Sequence, residues 1–267
     1  MARNGCSIIL NYHSASSDAR AAALASELTV SHAVVAIAVR ADISTEFGCD
    51  LIMKKAKEHF TNSNTGRLQI DILIHNAAVA TVRPLGSIQR DEFYNVYNTN
   101  VFGPILLTQM CLPHLPFDRS GRIVNISSVG CSLGLAEQTV YGGSKGALEA
   151  MTRVWARELA ERATVNAIST GFVMSEMWDD TPAHVKSLLA RWNSVTPLAA
   201  VPPLASAVDA PDAADASTIV ANTEREGSTR LGYDWEVAGV VGMLCTADAG
   251  WCTGSIIPAN GGMRFSY

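Results

Sequence analysis

Short, almost continuous apolar runs alternate along the chain with longer stretches whose apolar residues recur every three or four positions. The strand-like runs are Ser7 to Tyr12, Ala33 to Arg40, Ile70 to His75, Arg122 to Ser127, Ala163 to Ser169 and a last one after Trp251. The helix-like stretches are Asp18 to Leu28, Glu46 to Phe60, Asp91 to Leu115, Tyr141 to Ala160 and Trp235 to Cys245. In the second stretch the spacing predicts Phe47, Leu51, Ala56 and Phe60 on the inward face; in the fourth, Leu148, Met151, Val154, Trp155 and Leu159. Strands without polar alternation are buried on both faces, as in parallel sheets. Strand alternating with helix therefore predicts an α/β fold with a single doubly wound, Rossmann-type parallel sheet flanked by helices.

Composition narrows this further. A chain of 267 residues that is 48% hydrophobic and 17% charged suits one globular domain over residues 1–267. A net charge of −5 with no Lys/Arg cluster gives no electrostatic footprint for nucleic acid, so a small-molecule partner is expected. Cys6, Cys49, Cys111, Cys131, Cys245 and Cys252 form no Cys-x-x-Cys pair and stand apart from the histidines, which predicts reduced core thiols and no metal. With no basic-then-apolar leader and no apolar run near ~18 residues, no membrane association and a cytoplasmic location are expected. From Leu198 to Tyr233 the composition turns to Ala, Pro, Asp, Ser and Thr, which predicts a loop insertion over 198–233; a retained intron would look the same.

The candidate chemistry lies between Ser128 and Lys145. Ser128 follows the Arg122 to Ser127 strand, so its hydroxyl should stand at a strand's carboxyl end, where open α/β sheets bind ligands. Tyr141 and Lys145, four residues apart at the start of a helical stretch, share one face. A phenol titrates near ~10, and an adjacent ammonium lowers that value, so the three side chains suit proton transfer to a carbonyl. His75 at the end of its apolar strand is expected to be a hydrogen-bonded core residue.

With the serine thirteen positions before a Tyr-x-x-x-Lys, the chain resembles the short-chain dehydrogenase/reductase family. The resemblance runs in order through most of residues 6 to 264 and implies catalytic roles for Asn100, Ser128, Tyr141 and Lys145. Asn100, in Asn98-Thr-Asn100-Val-Phe-Gly-Pro, is implied to kink its helix and hold a water linking Lys145 to solvent. For the cofactor, the resemblance implies contacts from Asp42 and Ile43 to adenine, from the His75-Asn76-Ala77-Ala78 element, from the Gly171, Val173 and Ser175 turn, and from Tyr141 and Lys145. Two departures matter. Ala78 replaces a glycine, and Thr170 replaces a proline, which should loosen that turn. Residues Trp178 to Trp192 are implied to form a mobile flap over the substrate.

Tyr12, His13 and Ser14 follow the first strand with no carboxylate or arginine among them, which predicts NADP(H) over NAD(H). The family's Thr-Gly-x-x-x-Gly-x-Gly turn and the strand before it have no counterpart; only Gly5 precedes the first strand. Either cofactor binding has been lost, or the start codon is mis-assigned or the coding sequence truncated. The expected function is interconversion of a ketone and a secondary alcohol on a small or polyketide-like substrate, by similarity to 3-oxoacyl-carrier-protein reductases and fungal polyketide reductases of secondary metabolism. The alternative is a non-catalytic binding or scaffold protein. A homodimer or homotetramer is implied. Because the glycine turn gives pyrophosphate several charge-assisted N–H bonds of about 1.5–3 kcal/mol each, the chain as written is expected to bind NADPH two or more orders of magnitude more weakly than a version carrying the strand and turn. Parallel NADPH titrations measure the difference; micromolar binding by the short form would refute it.

Overall fold

The computed structural model describes residues 1–201 and 229–265. Six parallel strands are present: β1 Ile8–Tyr12, β2 Ala36–Arg40, β3 Ile72–His75, β4 Gly121–Ser128, β5 Ala163–Thr170 and β6 Ile256–Ala259. Between and around them run α1 Asp18–His32, α2 Glu46–Phe60, α3 Arg90–Tyr97, α4 Gly103–Cys111, α5 Gly130–Leu133, α6 Thr139–Glu158, α7 Glu176–Asp179, α8 Ala183–Ser194 and α9 Asp234–Leu244. The expected doubly wound α/β class is what forms. Its sheet, however, is in two hydrogen-bonded pieces, β1-β2 and β3-β4-β5-β6, rather than one. Among the described residues no strand joins β1 to β3. The carboxyl ends of the parallel strands still point the same way within each piece.

Both pieces cover one core. Ile9 and Ile37 of the first pack with Leu73, Ile123 and Val165 of the second, against Cys49, Ile52, Met53 and Ala56 of α2 and Leu106, Leu107 and Cys111 of α4. Because successive strand side chains point to opposite faces, Val124 and Ile168 turn the other way and pack under Leu244, Val237 and Val240 of α9. The longest ladder is β4 on β5, eight residue pairs from Gly121↔Ala163 to Ser128↔Thr170. Val165, Ala167 and Ile168 in it are wholly buried.

Two inward positions expected from spacing are solvent-facing. Phe47 is 80% exposed, because α2 turns the Cys49, Ile52, Met53, Ala56 stripe to the core and Phe47 lies off it. Val154 is 52% exposed although Leu148 and Ala156 of the same helix are buried. α2 is set by a side-chain cap, Thr45 Oγ1 accepting from Gly48 N at 3.0 Å. Gly48 has no substitute, since any Cβ there would overlap the Asp42 carbonyl. The long helical stretch from Asp91 breaks into α3 and α4 around a π-turn at Asn98–Phe102. Such one-turn widenings insert an extra residue into the helical ladder and frequently mark functional sites.

Of the expected 198–233 insertion, residues 202–228 lie outside the described residues. Its two ends are packed: Ala199, Arg230 and Leu231 are buried, and Gly232 bridges to Val173. Six free thiols are present, as expected. No helix of the described residues is long and apolar enough to cross a membrane.

A two-stranded ladder in which every β1 residue is partly exposed and β2 buries only Val39 opens at lower free energy than a buried four-stranded one. Backbone amides of β1 and β2 are therefore expected to exchange with deuterium orders of magnitude faster than those of β4 and β5. Equal protection across the two pieces, read by mass spectrometry, would contradict the division.

Candidate active site

Ser128 ends β4, and Tyr141 and Lys145 lie on the first turns of α6, which packs against β4 and β5. The three side chains come together as expected. Ser128 Oγ stands beside the Tyr141 phenol and favours its ionised form, and it accepts from Gly130 N at 3.1 Å. Lys145 is 3% exposed; its Nζ donates to the Ile126 carbonyl at 2.7 Å and stands 5.7 Å from the centre of the Tyr141 ring.

The electrostatics differ from the expectation that Lys145 pulls the phenol down. Burial holds Tyr141 above its usual 10.0, with the Ser128 hydroxyl acting in the opposite, lowering direction. Burial also brings Lys145 down from 10.5 to about 8. With its ammonium spent on a backbone carbonyl, Lys145 does little for Tyr141 in this arrangement. Below pH ~8 the amine keeps its proton and can favour a phenolate only by turning toward it.

Asn100 is 1% exposed, in the π-turn beside α6. Its amide donates to Val79 O at 2.9 Å and to Ser144 Oγ at 3.0 Å, while Oδ1 accepts from Val79 N at 2.9 Å. Ser144 Oγ in turn donates to Tyr141 O at 2.7 Å. Asn100 thus sits in the π-turn that parts α3 from α4. Both amide hydrogens are committed to protein, so a water at Asn100 finds only acceptor atoms there. Ser144, the serine inside Tyr-x-x-Ser-Lys, joins the two helices.

The residues expected to hold cofactor line the carboxyl ends of four strands. Tyr12 ends β1, with His13 and Ser14 exposed after it. Asp42 follows β2; its Oδ1 accepts from Ser44 N at 2.9 Å in a turn, its Oδ2 is 3.7 Å from His13 Nε2, and Thr45 rather than Asp42 caps α2. Ile43 is 6% exposed and its side chain is part of the core, so only its backbone faces the edge. Asn76 and Ala77 are exposed after β3, and Ala78, without positive φ, replaces glycine at no backbone cost. His75 is buried, bonded to Thr108 Oγ1 at 2.9 Å, and burial pulls it to about 3, so it stays neutral in the core.

Gly171, Val173 and Ser175 follow β5, where Ser175 Oγ accepts from Trp178 N to cap α7. Thr170 replaces the proline ring's rigidity with a hydrogen bond, Oγ1 to Ser127 O at 3.1 Å. The expected Trp178 to Trp192 flap falls on α7 and α8, which are seated through Val185 and Leu189 on Leu135, with Phe172 stacked on Trp178.

Several features were not read from sequence. A carboxylate and an arginine do reach the end of β1: Asp18 bonds the Tyr12 hydroxyl and pairs with Arg40 at 3.0 Å. They were missed because Asp18 lies on α1 and Arg40 on the neighbouring strand, opposite Tyr12 in register. Glu149, one turn beyond Lys145, accepts from Ser127 Oγ at 2.7 Å and Cys131 Sγ at 3.1 Å. The Gln138 carboxamide oxygen, Ser128 Oγ and the Tyr141 ring all lie within 4 Å of where a Gly130 side chain would begin, and the position of Gln138 three residues before Tyr141 was the only available sign.

A doubly wound parallel fold with a serine, a tyrosine and a buried lysine at its carboxyl edge defines the class of oxidoreductases that move hydride and proton on a carbonyl. The chain belongs to the short chain dehydrogenase family, whose description matches residues 1–186. It is an NAD(P)-dependent oxidoreductase. It is 43% identical over 274 residues to the L-xylulose reductase of Aspergillus niger, covering 100% of this chain and 91% of that protein. It is 41% identical over 282 residues to the L-xylo-3-hexulose reductase of Hypocrea jecorina, with 100% and 91% covered. Among solved structures, a blue fluorescent protein from a metagenomic library, in complex with NADPH, superimposes with a TM-score of 0.76 at 26% identity, covering 98% of this chain and 89% of that one.

An unfolded lysine keeps its proton to ~10.4, whereas folded Lys145 releases it near about 8. Between these values the unfolded chain binds more protons, so stability from this group rises with pH across the window and is complete above it. Lys145→Met is expected to flatten that rise, of the order of a few kcal/mol. Urea midpoints between pH ~7 and ~10.5 test it, and an unaltered rise in the variant would refute it.

Proposed function

We propose that the chain reduces a small polyhydroxylated ketone to its secondary alcohol, reversibly, with NADP(H). The observation that carries this reading is Ser128 beside the Tyr141 phenol at the carboxyl end of β4, with Lys145 one turn further along α6. Two relatives named as ketose reductases, and a neighbour solved with NADPH, support the substrate class and the cofactor. They direct the reading toward sugars rather than the polyketide-like substrates first expected.

The residues fit the two ends of a dinucleotide. At the adenosine end stand His13 and a hydroxyl cluster, Ser14 Oγ lying 2.8 Å from Ser16 Oγ and 3.2 Å from Ser17 Oγ. At the nicotinamide end stand the Val173 backbone and Tyr141. A glycine-rich pyrophosphate cradle is not among the described residues. The cofactor supplies the hydride, which no side chain can. Ser128 and Tyr141 hold the substrate oxygen, and Tyr141, kept protonated by burial, donates its proton as negative charge develops there. Asn100 and Ser144 fix the start of α6, so the phenol meets the oxygen in one geometry. Exposed Phe93, Tyr94 and Phe102 around the π-turn, together with Val154, support a homodimer or homotetramer.

Tyr141→Phe removes only the donor and is expected to keep the fold while lowering ketone reduction more than tenfold at saturating NADPH. Retention of over a tenth of the rate, with unchanged melting, would sink the assignment. The dissociation constant for NADPH is expected to lie below that for NADH, and a clear NADH preference contradicts it. Absence of turnover with both cofactors would favour the non-catalytic alternative.

A further inference from the structure

The short segment between Ser128 and Tyr141 carries a partly buried polar group with no task. Gln138 is half-buried, and its carboxamide has no hydrogen-bond partner among the described residues, while its backbone N–H bonds Leu135 O and its carbonyl accepts from Gly142 N at 2.7 Å. The amide keeps contact with solvent, and it offers both a donor and an acceptor to whatever enters beside it. The absence of a side chain at Gly130 leaves room for this amide. A methyl group placed there would lie 2.6 Å from Gln138 Oε1, 3.4 Å from Ser128 Oγ and 3.8 Å from Tyr141 Cε1. Three groups therefore converge on one point, and two of them are already assigned to the substrate oxygen. The nearby Leu133 and Leu135 turn instead into an apolar cluster with Phe172, Trp178 and Val185, which makes the free amide stand out.

Resting on the function proposed above, we propose that Gln138 determines specificity by bonding a hydroxyl on the carbon next to the carbonyl, so that the site selects α-hydroxy ketones. The two distances from the Gly130 point put Ser128 Oγ and Gln138 Oε1 within 6 Å of each other. Two hydrogen bonds of about 2.8 Å each, one to a carbonyl oxygen and one to the adjacent hydroxyl, span that separation. A hydroxyl matches an amide in both directions, as donor to Oε1 or acceptor from Nε2. A methylene in its place leaves the amide unpaired, and buried polar groups left unpaired are what reject the wrong substrate. Gly130 belongs to the same device, since a side chain there displaces the carboxamide.

The test compares hydroxyacetone with butanone, which differ by a hydroxyl against a methyl, as the ratio of their kcat/KM values with NADPH. Wild type is expected to favour hydroxyacetone. Gln138→Leu, similar in size without the polar atoms, is expected to lower the ratio about tenfold, the scale of one hydrogen bond. Gly130→Ala keeps Gln138 but moves it, and should lower the ratio in the same direction. Equal losses on both ketones, as a packing defect would give, or an unchanged ratio in Gln138→Leu overturns the role of Gln138 and leaves the proposed function standing. Wild type reducing neither ketone overturns both.

Discussion

The eight-pair ladder between β4 and β5 is the constraint on which the remainder depends. It is buried almost throughout and runs to the carboxyl ends of both strands, so Ser128 and Thr170 finish side by side. Side chains then hold the last carbonyls of β4. Lys145 donates to Ile126 O, Thr170 to Ser127 O, and the Cys131 thiol to Ser128 O. Backbone groups at a strand end would otherwise turn to water. Here they fasten α6, β5 and α5 to one point, and that point is where the serine hydroxyl emerges.

Holding the site this way buries Lys145, Ser144 and Asn100 together. Each is tolerated because it is hydrogen-bonded, and a half-satisfied set would cost more than an apolar one. Burial moves Lys145 down and Tyr141 up, which brings an amine near neutrality while keeping the phenol protonated. On the proposed function, proton donation falls to Tyr141, and Lys145 is the nearby cation whose charge can be redirected. Glu149 adds a negative group on the far side, bound to Ser127 and Cys131 rather than to the lysine.

At the other end of the binding edge the arrangement is looser. The β1-β2 pair is joined to the main sheet through the shared core and not through hydrogen bonds. Its Tyr12 and Arg40 and the α1 residue Asp18 form a largely exposed chain of contacts worth little to stability individually. On the proposed function, this division of the sheet gives proton chemistry a rigid, buried ladder and the cofactor an adaptable, partly exposed edge.

Periodicity alone determined the order of strands and helices, because burial on parallel strands and on amphipathic helices leaves different repeats in the chain. The Ser128, Tyr141 and Lys145 set was legible too, since strand end and helical turn fix local spacing, and Asn100 was placed through the family resemblance. Faces were less legible: Phe47 and Val154 are apolar, but which helical stripe turns inward depends on what lies opposite. Equally hidden were the Asp18 to Arg40 pair, the Glu149 contacts and the free amide of Gln138 beside Ser128. These join residues from different elements, or depend on a side chain's direction, and no one-dimensional repeat encodes either. The lysine's partner was misread for the same reason. Sequence placed Lys145 one turn from Tyr141, but only the packing of α6 on β4 brought the Ile126 carbonyl within reach of its ammonium.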